Sequence, residues 1–149
     1  MLQILKLFCN FVAVMEDLLR SKKLSVTDFR VSVLEIFNRY SSAITSDQIE
    51  SELGEFDRIT LYRTLKTFKE KGVIHEIALT DTDTVYALCL DDCIEDEHIH
   101  HHEHVHFKCD NCGNVFCLDI PAYPDLNLKG FRVDRMDIQV FGKCEACSC

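Results

Sequence analysis

Two cysteine pairs, Cys109-x-x-Cys112 and Cys144-x-x-Cys147, stand about 30 residues apart in the last third of a 149-residue chain. Two such knuckles supply four thiolates, the donor set of a tetrahedral, all-sulfur zinc site. A closed shell of this kind leaves no coordination position for substrate. It predicts one structural Zn2+ per chain, pinning the C-terminal segment to its sheet and contributing directly to folding free energy. The nine cysteines are odd in number and eight of them follow residue 88, which does not suit a secreted disulfide framework. Unmetallated cytosolic thiols are the plainer alternative. Cys149 reads as spare and Cys9 as a buried small hydrophobe.

A second donor set is more scattered: His75, Cys89, His102, His104, His106 and Cys117. A regulatory metal should draw on both halves of the chain, so that its occupancy fixes their relative orientation. Imidazoles and thiolates favour zinc over Fe2+ or Mn2+, which prefer more oxygen ligands. Each candidate also has a plainer role. His75 could cap the helix before it, since a cation suits a helix C-terminus, and His106 could be a core or interface histidine. His98, His100 and His101 read as a solvated cluster, and Cys93 could join the site or stay free.

These donors must be positioned by two differently charged halves. Up to His75 there are 11 basic and 10 acidic residues, a net of +1; the overall charge of −9 leaves −10 for the remainder. Gathered basic residues can still engage phosphates in an acidic protein, because phosphate contacts are local. Hydrophobic residues at 47% exclude a disordered chain. No run reaches the roughly 18–20 apolar residues of a membrane span. The apolar start, residues 1–14, lacks a small-residue cleavage site and reads as an uncertain helical extension rather than a secretory signal. The expected location is cytoplasmic.

The first half reads as helices over 11–20, 27–40 (capped by Ser25 or Thr27), 45–53 and 58–71, the last ended by Gly72. Residues 73–79 and 84–89 then form a hairpin. That order is a winged helix-turn-helix, and it sends the 58–71 helix into the major groove of duplex DNA. Leu61, Leu65 and Phe68 should face inward. Thr60, Arg63, Thr64 and Thr67 should share the outward face, flanked by Arg58, Tyr62, Lys66 and Lys69. Arg58, Thr60, Tyr62, Arg63 and Lys66 are the candidate DNA contacts; an ordinary solvated helix is the duller reading.

Beyond an acidic, His-rich hinge loop (90–104), residues 105–109, 114–118 and 131–141 are strand-like, with a short helix expected over 125–129. Three strands on so little chain cannot bury both faces alone, so a homodimer is expected. The fold class is therefore α+β. A winged-helix DNA-binding domain (1–89, with 1–14 as the extension) precedes a small α/β dimerisation domain with a three-stranded sheet (105–149).

The stretches T-D-F-R-V-x-V-L (27–34), T-S-D-Q-I (45–49), R-I-T-L-Y-R-T-L (58–65) and K-G-V-I (71–74) resemble the ferric uptake regulator family. So do H-E-H-V-H-F-K-C-D-N-C-G (102–113) and the terminal C-x-x-C. The resemblance runs in order from about residue 15 to residue 147. It implies a dimeric, metal-sensing transcriptional repressor in which Tyr62 and Arg63 meet operator DNA and the four knuckle cysteines hold structural zinc. The contexts G-V-I-H of His75 and Y-A-L-C of Cys89 are similar to the zinc-uptake-regulator branch, whose corresponding residues bind regulatory zinc with a histidine before the first knuckle and a carboxylate after it. Cys117 stands where that carboxylate is usual, which softens the site. Iron-sensing relatives carry a histidine near Ala43 and a glutamate near Ala87, and this chain has neither. The expectation is a zinc-dependent repressor of metal-uptake genes. A peroxide- or iron-sensing regulator of the same family is the rival, and a zinc enzyme a weaker one, because no H-x-E or H-E-x-x-H context offers a general base.

Overall fold

The computed structural model describes residues 2–79, 84–89, 104–122, 124–133 and 136–148, with side chains from residue 12 onward. The expectations placed on His102 and the rest of 90–103 (Cys93, His98, His100 and His101 included) and on Cys149 lie outside the described residues, and that on Cys9 outside the described side chains. The chain divides into two compact units, Met1–Cys93 and Ile94–Cys149.

In the first unit, α1 (Leu2–Ser21), α2 (Asp28–Arg39), β1 (Ile44–Thr45), α3 (Ser46–Leu53) and α4 (Arg58–Glu70) precede the hairpin of β2 (Ile74–Ile77) and β3 (Val85–Leu88). Local chemistry sets the helix starts. Thr27 accepts a hydrogen bond from the Arg30 N–H to cap α2. Thr45 and Gln48 form a reciprocal capping box on α3, and the Asp57 carboxylate caps α4 by accepting from the Thr60 N–H. Helix α4 ends in a Schellman motif: Gly72 adopts φ 62°, its N–H donates to the Lys69 carbonyl at 3.2 Å, and the Val73 N–H donates to the Phe68 carbonyl at 2.8 Å. Helix α1 ends in the same way, with the Leu24 N–H donating to the Leu19 carbonyl at 2.8 Å, but Lys23 takes the left-handed position at φ 56°.

Met15 and Leu19 of α1, Val33, Leu34, Ile36 and Phe37 of α2, Ile49 of α3 and Leu61, Leu65 and Phe68 of α4 close one core over Ile44 and Ile74. Phe68 is fully buried, so truncation to alanine would cost about 3–5 kcal/mol. Thr64 is buried rather than outward, at 6% exposure. It lies three residues after Leu61 and four before Phe68, which places it on the same apolar stripe. The sheet order is β1-β3-β2, with Ile44 paired to Tyr86 and Ile77 to Val85. Strand β1 went unforeseen because two residues carry no alternation. The α3–α4 pair followed by this sheet is a winged helix-turn-helix.

In the second unit, β4 (His104–Cys109), β5 (Val115–Asp119) and β6 (Gln139–Gly142) are followed by a one-turn helix, α5 (Glu145–Ser148). Central β4 is antiparallel to β5 and parallel to β6. The parallel pairing requires a long crossover, and this corrects two expectations. Residues 125–129 form no helix; they turn tightly instead, with the Leu128 N–H on the Leu126 carbonyl at 3.0 Å. Of the strand expected over 131–141, the described residues show only Gln139–Gly142, where β4 offers a partner. Among the described residues, no helix is long and apolar enough to cross a membrane.

Candidate metal centres and the outward face of α4

The four knuckle cysteines meet at one end of the second sheet. Strand β4 delivers Cys109, whose N–H donates to the Asn114 carbonyl and whose carbonyl accepts from the Gly113 N–H, both at 2.9 Å. This tight turn, with Gly113 at φ 76°, presents Cys112 back toward Cys109. The parallel register with β6 brings in the other knuckle: the Asp110 N–H donates to the Gly142 carbonyl at 2.7 Å, and the Cys144 N–H to Cys109 Sγ at 3.3 Å. The four sulfurs lie within 4.8 Å of one another, and Cys112 and Cys144 are 3.8 Å apart. Zinc–sulfur bonds of about 2.3 Å in a tetrahedron set sulfurs about 3.8 Å apart. The donor set therefore fits a tetrahedral thiolate metal site, and the spacing is too wide for disulfides.

The thiols are electrostatically unequal. The backbone N–H groups of Cys112 and then Cys144 hold the Cys109 thiol down to about 6. Desolvation first, and the Cys147 thiol second, push Cys144 up to about 12. Backbone donors thus favour the Cys109 thiolate, while burial and a neighbouring thiol oppose that of Cys144. A divalent ion would reverse that opposition and release the remaining protons.

Two further donor groups lie one in each unit. In the first, His75 of β2 pairs with Ala87, so Cys89 falls diagonally across from it on the hairpin, with its Sγ 3.4 Å from His75 Nδ1. Cys89 is buried and His75 half-buried. The hairpin is anchored directly to the end of α4, because the Cys89 N–H donates to the Val73 carbonyl at 2.9 Å.

In the second unit, His104 and His106 share a face of β4, as residues two apart must, and Cys117 of β5 stands opposite His106. Their Nε2 atoms converge to 3.2 Å. Zinc–nitrogen bonds of about 2.0–2.1 Å place two imidazole nitrogens about 3.3–3.4 Å apart in a tetrahedron, so the pair is spaced for a shared ion. His106 is 8% exposed, and its Nδ1 faces Asp137 Oδ1 at 3.1 Å. Desolvation of the sulfur, followed by the Asp119 charge, pushes the Cys117 thiol up to about 11, although the residue as a whole is exposed. Asp137 was missed in the sequence. It is one acid among 25, and only the β4–β6 register, set 31 positions away, selects it.

Helix α4 turns Arg58, Thr60, Tyr62, Arg63 and Lys66 to solvent, with Tyr62 at 69% exposure. Their engagements differ. Arg58 pairs with Glu50 at 3.1 Å and Lys66 with Glu70 at 3.9 Å. The Thr60 hydroxyl donates to Asp57 Oδ2 at 2.7 Å, so it is committed to the helix cap. The hydroxyl and then the N–H of Thr60 hold the Asp57 carboxyl below its ordinary range. Lys69 pairs with Glu76 of β2, tying the end of the helix to the wing.

A winged helix followed by a small sheet bearing thiol and imidazole donors defines a metal-responsive DNA-binding class. The ferric uptake regulator family model matches residues 21–139, and the chain belongs to that family. It is 29% identical to the ferric uptake regulation protein of Staphylococcus aureus over 138 residues, covering 87% of this chain and 93% of that one. It is 24% identical to the peroxide operon regulator of Bacillus subtilis over 141 residues, 89% and 90% of the two chains. Its fold is similar to that of a zinc uptake regulator solved with zinc and DNA, with a TM-score of 0.60 at 22% identity over 93% of each chain. The protein is thus a metal-responsive transcriptional regulator rather than an enzyme.

Proposed function

We propose that the protein is a cytoplasmic, homodimeric, zinc-dependent repressor that binds operator DNA upstream of metal-uptake genes. Cys109, Cys112, Cys144 and Cys147 hold a structural Zn2+. A second, regulatory Zn2+ draws its ligands from His75 and Cys89 of the first unit and from His102, His104, His106 and Cys117 of the second. When bound, that ion supplies a crosslink between donors of the two units. The observation that carries the reading is the donor chemistry: each unit contributes imidazole and thiol, the soft combination that favours zinc over iron or manganese. Tyr62 and Arg63 of α4 meet the duplex, Arg58 and Lys66 exchange their carboxylate partners for phosphates, and Thr60 holds the start of the helix in register.

The preference for one dimer geometry must be worth about 1–3 kcal/mol to change operator occupancy usefully. His75→Ala and Cys89→Ala should each abolish zinc-dependent operator binding in a gel-shift titration while the dimer and one zinc per chain persist. Retained zinc dependence in both variants would sink the assignment. The likeness to the peroxide operon regulator favours a second reading, in which thiolate oxidation ejects metal and releases DNA. Mild peroxide separates the two: zinc and DNA binding survive it on the first reading and are lost together on the second.

A further inference from the structure

We infer that Asp137 is the positioning residue that presents His106 to the regulatory metal, and the inference rests on the proposed role of His106 as a ligand. A carboxylate can only accept, so the 3.1 Å contact from His106 Nδ1 to Asp137 Oδ1 places the ring proton on Nδ1. The remaining nitrogen, Nε2, then carries its lone pair toward the side where His104 Nε2 converges to 3.2 Å. An unconstrained imidazole can bind a metal through Nδ1 in one tautomer or through Nε2 in the other. Here one nitrogen is engaged and the other is aimed.

The backbone holds this arrangement from below. The His106 N–H donates to the Ile138 carbonyl at 2.9 Å, and His106 pairs with Gln139 across the parallel β4–β6 register. Asp137, one residue before Ile138, is therefore placed by the same ladder that places His106. The ring is buried at 8% exposure while the carboxylate side chain keeps 45% of its surface. Water reaches the acid, so holding it beside the ring carries little desolvation cost. A carboxylate on the outer nitrogen of a metal-binding imidazole fixes its orientation and raises its basicity, and losing such a partner weakens metal binding about 10–100-fold.

The test uses the full-length protein with its structural zinc, titrated with Zn2+ against a competing chelator and separately with Co2+. Asp137→Ala should weaken the second zinc by about 10–100-fold. Asp137→Asn, which keeps an acceptor facing Nδ1, should lose less. The cobalt absorption bands of both variants, once saturated, should match the parent, because no ligand has been removed. Zinc affinity in Asp137→Ala within threefold of the parent overturns the inference. So does a cobalt spectrum that has lost a donor, which would make Asp137 a ligand. His106→Ala separates this failure from failure of the site itself: if it leaves the second zinc unaffected, the regulatory assignment falls, whereas its loss beside an unchanged Asp137→Ala overturns only the positioning role.

Discussion

At the scale of single residues, the donor atoms divide by how far their partners lie along the chain. The C-x-x-C pairs were legible at once, because spacing and residue type carry the chemistry and the turn at Gly113 needs little else. That pairing predicts that Cys147→Ser loses about one zinc equivalent per chain by metal analysis and leaves the second unit open to proteolysis. On α4, Arg63 is exposed, and its charge helps hold the Asp57 carboxyl at the cap below its ordinary range. Arg63→Ala should lower the slope of log affinity against log salt by about 0.9, the value of one lost phosphate contact. If Arg63 instead reads a base, the slope will hold and sequence preference will relax.

Among the secondary elements, α2, α3 and α4 could be read from the sequence because their signals are local. Thr27, Thr45 and Gln48 are caps, Gly72 is a stop, and Leu61, Leu65 and Phe68 recur at helical spacing. The errors fall where an element exists only through a distant neighbour. Strand β1 is two residues long and is defined by β3. The sequence of 131–141 alternates well enough for a strand, yet among the described residues only Gln139–Gly142 pair with β4. Asp137 illustrates the same limit at the site. Lys23 is a different kind of exception, a lysine in the left-handed region that closes α1. Lys23→Gly should stabilise the first unit by about 0.5–1 kcal/mol, because glycine pays no Cβ penalty there. Thermal unfolding checks it; a lower midpoint would show that the lysine side chain contributes more than its backbone costs.

For the molecule as a whole, the second unit is conspicuously short of interior. Its buried apolar side chains among the described residues are Val105, Cys109 and Val115, whereas Leu118, Leu126, Leu128, Phe131, Val133, Val140 and Phe141 are exposed. Exposed apolar side chains in such number on so small a unit mark an interface, in keeping with the homodimer expected from three strands on little chain. Phe131, at 79% exposure, is the largest contributor. Phe131→Asp should shift the protein toward monomer in sedimentation analysis and weaken operator binding, since each half-site would then be bound alone. A variant that stays dimeric would move the interface elsewhere on this unit.

The Schellman turn at the end of α4 also sets a phase. Six residues, Phe68 to Val73, close the helix and launch the strand that bears His75, with no slack between them. Strand side chains alternate faces, so a single residue inserted after Gly72 would turn His75 to the opposite side of the wing from Cys89 while leaving α4 whole. On the proposed zinc assignment the result would be a deaf protein that still grips duplex: the proposed reading head and metal receiver share one spindle, and their timing is kept by a glycine.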